Sequence, residues 1–475
     1  MDLKDDNCST KQLINSTLIY SIGNLGTKIL VFALLPIYSF YLSKEDMGVY
    51  DLILITINLA IPIISFQISD AAYRWLISSG EDQKSKYEAI TNSITITVIF
   101  VFCSFLIILL ASLFIRIPHL ELFLITLLPS CLFPFFQQIA RGLKNNKLYA
   151  KAGVLNAFLV LALSILFLPI LDWSLKGVFL SIALAHIAGI IYIIKKASVL
   201  SYFKKELISG SEIKSMVKYS WPLIPNAISW WLINASNKFA ILFFLNTEAN
   251  GVYAISSRVP SIIAIINSIF MLSWQDHLLQ DRSDGSKAQS KLFNVFFKLE
   301  LSIILILIPI AQFMVSAFFD AQYLDSWKYM SILFIASGFS GFSTYYGTYY
   351  LKDKKTDSIF YTTLIGGVIN LIFTIALINT IGLYAPAVGT LLGFIIVFII
   401  RARFINQKHS LLVEIAPFSF LFISTLVFFY LTLLEISILN ICLLFASLII
   451  TYYFNKSLFK SFLISLKAIA KQLGI

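Results

Sequence analysis

Runs of about 20 predominantly apolar residues succeed one another along almost the whole chain, each long enough to cross a hydrocarbon core about 30 Å thick. A backbone in lipid must satisfy its own polar groups, so each run reads as a helix. Fourteen spans are expected, near 13–42, 49–78, 88–115, 121–142, 148–170, 175–195, 219–246, 251–280, 289–319, 327–351, 356–379, 383–404, 410–434 and 437–454. Charged residues make up only 13% of the chain and mean hydropathy is +0.84. A soluble domain carries about 25% charge, so a large soluble all-α fold is excluded. The fold class expected is an all-α polytopic membrane protein. The opening "MDLKDDNCSTKQ" lacks a basic stretch before a short apolar core, so it does not read as a cleaved signal, and the first span should be retained.

Charge then orients the spans. Most of the 36 Lys and Arg lie in the two tails and in the loops after even-numbered spans, whereas the odd loops hold only Lys44, Arg116, Lys176 and Lys328. Positive charge resists translocation, so both termini are expected on the cytoplasmic side. The net charge of +11 is thereby a topological signal and does not indicate nucleic acid as a partner. Cys8, Cys103, Cys131 and Cys442 are scattered, as are His119, His186, His277 and His409, so neither a disulfide framework nor a metal site is expected. Only one connection is long, residues 196–218. The loops leave no room for an extramembranous catalytic domain, and no catalytic residue is assigned. In the last segment Lys456, Lys460, Lys467 and Lys471 share one helical face opposite Phe459, Phe462, Leu466 and Leu473, a pattern suited to a helix lying on an anionic leaflet.

One turn is written twice. "FYLSKEDMGVY" at 40–50 returns as "FFLNTEANGVY" at 243–253, with Phe, Leu, Glu, Gly, Val and Tyr in register at a constant offset of 203 residues. "LKNNK" (143–147) and "GVLN" (153–156) have echoes in "LKDKK" (351–355) and "GVIN" (367–370). The first copy joins spans one and two and the second joins spans seven and eight. An even number of spans separates them, so the two halves run in the same orientation. The expected organisation is a six-span lobe at 1–195, a hinge-like cytoplasmic link at 196–218, a parallel six-span lobe at 219–404, two extra spans at 405–455 and the basic tail at 456–475. Within the turn the acidic residue is expected between helices, Gly at the reversal and Tyr as an interfacial anchor.

Lys28, Arg74, Lys238, Arg258 and Lys298 fall inside apolar helices, where a cation near the bilayer centre costs roughly 3 kcal/mol. Each therefore needs a cavity, an acid or an interface. Asp70 lies one turn from Arg74 and Glu300 lies beside Lys298, which suggests structural pairing. Lys28 sits among Gly23, Asn24, Gly26 and Thr27, and aligning Asn24 with Asn234 places Lys28 on Lys238. Lys28, Lys238 and Arg258 are the cavity candidates. A cationic lining suits an anionic cargo, since Lys offers a point charge and Arg a fork for two oxygens. Trp221, Trp230, Trp231, Trp274 and the run Tyr345, Tyr346, Tyr349 and Tyr350 supply flat faces that pack against sugars, although packing accounts for most of them.

"WPLIPNAISWWLINASNKFAI" (221–241), "NGVYAISSRVPSI" (250–262) and "SWQD" (273–276) together resemble helices seven and eight of Wzx-type bacterial polysaccharide flippases, members of the multidrug/oligosaccharidyl-lipid/polysaccharide (MOP) exporter superfamily. The resemblance implies two lobes around a V-shaped central cavity, alternating access, and a cargo of undecaprenyl-pyrophosphate-linked oligosaccharide moved to the outer leaflet of the bacterial inner membrane. It also implies membrane lipids, a polysaccharide polymerase and a chain-length regulator as partners, in the making of O-antigen, lipopolysaccharide or another surface glycan. The substrate-binding candidates are then Lys28, Lys238, Arg258, Arg74, Asn24, Asn234, Asn237 and Trp231. Asp70 and Asp276 are candidates for coupling to H+ or Na+, with no other cofactor. One departure stands out: the family often has Asp before the basic residue of helix seven, where this chain has Asn237–Lys238. A cation-coupled multidrug exporter is the alternative within the superfamily, and a membrane polysaccharide polymerase is the alternative outside it.

Overall fold

The computed structural model describes residues 30, 32–114, 118–279, 286–353, 356–409 and 411–472, and these residues form helices and connecting turns with no strand among them. Eleven of the described helices are long and apolar enough to cross a membrane. They are α2 (Lys44–Ile64), α4 (Gln83–Ala111), α5 (Leu120–Gly142), α6 (Asn146–Ile165, prolonged by a π turn to Ile170), α7 (Ser174–Lys196), the pair α11 (Thr247–Arg258) and α12 (Ser261–Leu279), α13 (Ser286–Phe318), α15 (Thr356–Ile381), α16 (Tyr384–His409), α17 (Ile415–Thr432) and α18 (Ser437–Gln472). The other three expected spans correspond to α1 (Phe32–Tyr41), α10 (Leu223–Phe244) and α14 (Ser326–Lys352). Rich in Ser, Gly and Tyr, α14 is buried along nearly its whole length. A helix surrounded by protein does not need the hydropathy of one that faces lipid. Outward-facing Phe102, Ile107 and Leu110 on α4, and Ile441, Phe445 and Ile449 on α18, supply the apolar belt that lipid requires.

The second expected span, 49–78, is broken. Pro62 removes a helical N–H near the end of α2, and Phe66 and Gln67 then take φ values of 49° and 53° before α3 (Ile68–Ser78) begins. Left-handed backbone costs roughly 1–2 kcal/mol per non-glycine residue, so packing must hold it. Phe66 does this in part, with its ring centroid 4.4 Å from that of Phe100 on α4.

The chain divides into two compact units, one ending at Ala235 and the other beginning at Ser236, so the boundary falls within α10 rather than at residues 196–218. That segment is no free link. It folds as α8 (Val199–Tyr202), a 3-10 turn (Lys205–Leu207) and α9 (Gly210–Ser220), bound to the first unit by polar side chains. Asn92 donates to Leu207 O (3.1 Å) and accepts from Ser209 N (2.8 Å), while Thr91 accepts from Lys204 N (3.0 Å). Deeper in this unit a hydroxyl chain runs from Tyr38 through Ser164 to Ser181, at 3.2 and 3.0 Å, tying α1, α6 and α7.

The repeated turn is reproduced bond by bond. Leu42 N donates to Tyr38 O and Leu245 N to Ile241 O, both at 2.9 Å, and Met47 N→Ser43 O is matched by Asn250 N→Asn246 O. Ser43 caps α2 by accepting from Asp46 N (3.0 Å), and Asn246, 203 residues on, caps α11 by accepting from Ala249 N (2.7 Å). Such a cap contributes about 1 kcal/mol. The motif is thus a helix start. Its acid belongs to the first turn, where the helix dipole favours it. Gly48 and Gly251 lie buried inside the helices rather than at the reversal, and Tyr50 and Tyr253 are core residues rather than interfacial anchors. Tyr50 packs edge-on to Tyr38 at 5.3 Å.

In the second unit α14 is the central helix. Trp274 stacks on Tyr345 (4.4 Å, 10°), while the hydroxyls of Tyr345 and Tyr349 donate to Gln289 O and Gln289 Oε1, each at 2.9 Å. These aromatic faces are consumed by the core. The last helix, α18, kinks at Asn455 (φ −114°, ψ 17°), which marks the end of the membrane span and the start of the tail; the side chains of the tail's expected basic and apolar faces lie outside the described residues beyond Lys456.

Candidate functional site

Of the expected cargo-binding residues, Lys28 and Asn24 lie outside the described residues, as do the side chains of Asn234 and Asp276. The rest separate into several environments. In the first unit Arg74 is exposed, with its guanidinium 4.9 Å from the ring centroid of Tyr219 on α9. The charge neighbour of Asp70 is Arg141 of α5 rather than Arg74. Trp231 spends its indole N–H on Ile55 O at 2.7 Å, which fastens α10 to α2.

In the second unit Asn237 is almost completely buried, at 6% exposure, and every polar atom of its amide is used. Its Nδ2 donates to Thr390 Oγ1 (2.8 Å) and to Pro386 O (3.3 Å), and its Oδ1 accepts from Thr374 Oγ1 (3.1 Å). Asn370 Oδ1 stands 3.3 Å from the same Thr374 hydroxyl. An Asp here would turn two donors into acceptors facing a carbonyl, so the surroundings match the amide. The cluster is neutral and joins α10 to α15 and α16. Close approach of those two helices makes it possible, because a Cβ on Gly389 would come within 2.6 Å of Thr374 Oγ1 and 2.8 Å of Asn370 O.

Lys238 follows on α10, one position and about 100° round the helix from Asn237, and is half-buried. Arg258 is half-buried at the last turn of α11, where Val259–Pro260 interrupt the passage into α12. Lys298 does not pair with Glu300: its Nζ meets Glu414 at 2.5 Å. Residues two apart on a helix point in nearly opposite directions, and Glu300 accordingly turns to Asn267 of α12 (2.8 Å). At the C-terminal ends of α14 and α16, Asp353 lies 2.7 Å from Lys408 and 3.5 Å from His409. Burial works to raise the Asp353 carboxyl, but these two partners outweigh it and hold it below the usual carboxylate range.

Arg401 is the cation that hydropathy misses. It lies at the end of the expected span 383–404 and reads there as basic cytoplasmic flank, yet it is 95% buried within α16. Its guanidinium donates to Thr362 Oγ1 (3.0 Å), Thr363 Oγ1 (2.7 Å), Ser343 O (2.9 Å) and Ile359 O (3.2 Å), stapling α16 to α14 and α15. Gly347 leaves room for it, since a Cβ there would sit 2.8 Å from Nη1. All four acceptors are neutral. A lysine would keep the buried charge and lose the fork, whereas a methionine would remove both bonds and charge. Arg401→Lys is therefore expected to lower the thermal unfolding temperature in detergent more than Arg401→Met does. The reverse order would show that hydrogen bonds from a retained ammonium to these oxygens outweigh the cost of burying its charge.

Among the described residues no three His, Cys, Asp or Glu side chains gather as a metal site. Spanning helices in two units with a residue-for-residue repeated turn find their counterparts among solved transporters. The chain aligns with the lipid II flippase MurJ in an inward closed conformation at a TM-score of 0.70, 15% identity, 94% of this chain and 100% of that one. With an inward-facing multidrug resistance MATE family transporter of the MOP superfamily the TM-score is 0.65 at 14% identity, covering 82% and 94%. These likenesses show the fold: a multi-pass helical membrane protein folded like that flippase and that transporter. A curated relative, an uncharacterized membrane protein of Methanocaldococcus jannaschii, is 23% identical over 407 residues, spanning 82% of this chain and 96% of its own length. The family model for polysaccharide biosynthesis proteins matches residues 13–274, more than half of the sequence, and the chain belongs to that family.

Proposed function

We propose that the protein is a flippase that carries undecaprenyl-pyrophosphate-linked oligosaccharide, the repeat unit of O-antigen or another surface polysaccharide, from the cytoplasmic to the outer leaflet by alternating access. The observation that carries this reading is the conjunction of a polysaccharide biosynthesis family match with the fold of a lipid II flippase. The chemistry of the chain agrees with it. Lys238 and Arg258 are half-buried cations within membrane helices, suited to a pyrophosphate, while the polyprenyl tail stays in lipid. Moving an anion out of a negative interior is favoured by about 2.3 kcal/mol per charge per 100 mV. On this reading the protein sits in the bacterial inner membrane with both termini cytoplasmic, as the loop charges indicate. A polymerase and a chain-length regulator would consume its product.

The MATE likeness supports a second reading, a cation-coupled multidrug exporter. One experiment separates the two. Purified protein is reconstituted into vesicles holding undecaprenyl-pyrophosphate-linked oligosaccharide, and a membrane-impermeant lectin reports the glycan on the far leaflet. Protein-dependent exposure of the glycan is expected. Drug efflux from the same vesicles without glycan exposure would establish the exporter.

A further inference from the structure

We infer that Glu300 and Asn267 form a carboxyl–amide pair that holds one exchangeable proton inside the second unit. Glu300 is 3% exposed and Asn267 6%, within membrane helices α13 and α12. Asn267 Nδ2 donates to Glu300 Oε1 at 2.8 Å, and Asn267 Oδ1 is buried with no hydrogen-bond partner. A carboxylic acid and a primary amide are complementary two-atom forks. When Glu300 is protonated, its O–H supplies the donor that Asn267 Oδ1 lacks, and the pair closes with two hydrogen bonds. When Glu300 is ionised, one of these bonds is gone and a buried carboxylate faces an amide oxygen. A buried acid without a compensating charge takes up a proton instead.

The charged and titratable side chains described around the pair are engaged elsewhere. On α13 Lys298 is engaged with Glu414 of the segment leading into α17. On α14 Lys328 is engaged with Asp325 and Glu435, and Tyr345 donates to Gln289 O. On α18 Asn455 and Thr451 turn to Ser302. On α12 the side chains of Asp276 and His277, more than two turns from Asn267, lie outside the described residues. Two glycines of α14 make the space. A Cβ on Gly341 would fall 2.6 Å from Asn267 Nδ2, and one on Gly338 would fall 2.6 Å from Ile304 and 3.6 Å from Glu300 Cγ. A metal cation fits less well: hard cations want about six oxygens, and here an amide N–H already points at the carboxylate.

The proton comes from water and returns to it, so no other reactant is needed. Its loss unmakes one leg of the α12–α13 contact. Infrared difference spectra of the purified protein test this without any cargo, so the outcome stands apart from the flippase reading. Wild type should show a protonated-carboxyl C=O band that disappears as pH is raised. Glu300→Gln, which keeps both hydrogen bonds as an amide–amide pair, should fold and lack the band. Asn267→Ala should keep the band but move it to higher frequency, because the acid loses its partner. A band unchanged in Glu300→Gln, a band unmoved in Asn267→Ala, or one abolished by replacing choline with sodium would overturn the assignment.

Discussion

Gly393→Val is expected to deprive the protein of a stable second unit, with most of the material lost as aggregate on extraction and the remainder unfolding at a much lower temperature than wild type. A Cβ at 393 would lie 2.7 Å from the carbonyl oxygen of Gly366 and 3.3 Å from Asn370 Cβ; at 366 it would lie 2.3 Å from Val397 Cγ2 and 3.1 Å from Gly393 O. A carbonyl inside a helix cannot rotate aside, so α15 and α16 must separate. Small residues at a membrane helix interface let backbones approach in this way. Overpacking alone costs about 1–3 kcal/mol. The same separation pulls Thr374 and Asn370 of α15 from Pro386 and Thr390 of α16, the partners between which Asn237 is held, at about 1 kcal/mol per hydrogen bond lost. The sum is a large share of the 5–15 kcal/mol that keeps a typical domain folded. Gly393→Ala should fall between wild type and Gly393→Val. Size-exclusion profiles and thermal melts in detergent measure the series, and a wild-type melt for Gly393→Val would mean that the two helices are not in this contact.

Lys238→Ala should reduce surface polysaccharide at least tenfold, to background, in a host lacking its own flippase, with the protein present at normal level. Lys238 is half-buried on a membrane helix, and on the proposed function its ammonium meets the pyrophosphate of the cargo. Lys28→Ala is expected to do the same. Lys238→Arg keeps the charge but changes its reach and geometry, so partial output is expected. Arg74→Ala is the contrast: its guanidinium lies exposed against Tyr219, and output should stay close to wild type. Glycan immunoblots beside a blot for the protein decide the matter. Wild-type output from Lys238→Ala would remove that residue from the cargo path.

The all-helical, membrane-spanning character of the chain and the place of eleven spans were legible in the sequence because lipid imposes a length and an apolarity that composition records directly. The internal repeat was legible for a related reason: the turn carries a helix cap, and capping is a local interaction between Ser43 and Asp46, or Asn246 and Ala249, that four consecutive residues suffice to write. The roles within the turn were misjudged where they depend on neighbours far along the chain. Gly48 and Gly251 look like turn residues, and Tyr50 like an anchor, until the packing around them is known. The charges were misread for the same cause. Lys298 and Glu300 are only two residues apart in sequence but face different helices, and the partner of Lys298 lies 116 residues away. Arg401 was invisible because an arginine at the end of an apolar run has the same composition whether it snorkels to the surface or threads into three helices.

The sequence alone determined that this chain lives in a bilayer, that one capped turn is written twice, and that Arg74, Lys238, Arg258 and Lys298 lie within helices. Those properties follow from solvent and from neighbours within a turn or two. Which of the charged and amide side chains are tied up in structure, which pair stands ready to bind a proton, and where α15 and α16 touch backbone to backbone were decided only by tertiary packing. A buried polar atom is satisfied by whatever residue the fold brings within about 3 Å, and sequence distance carries no record of that.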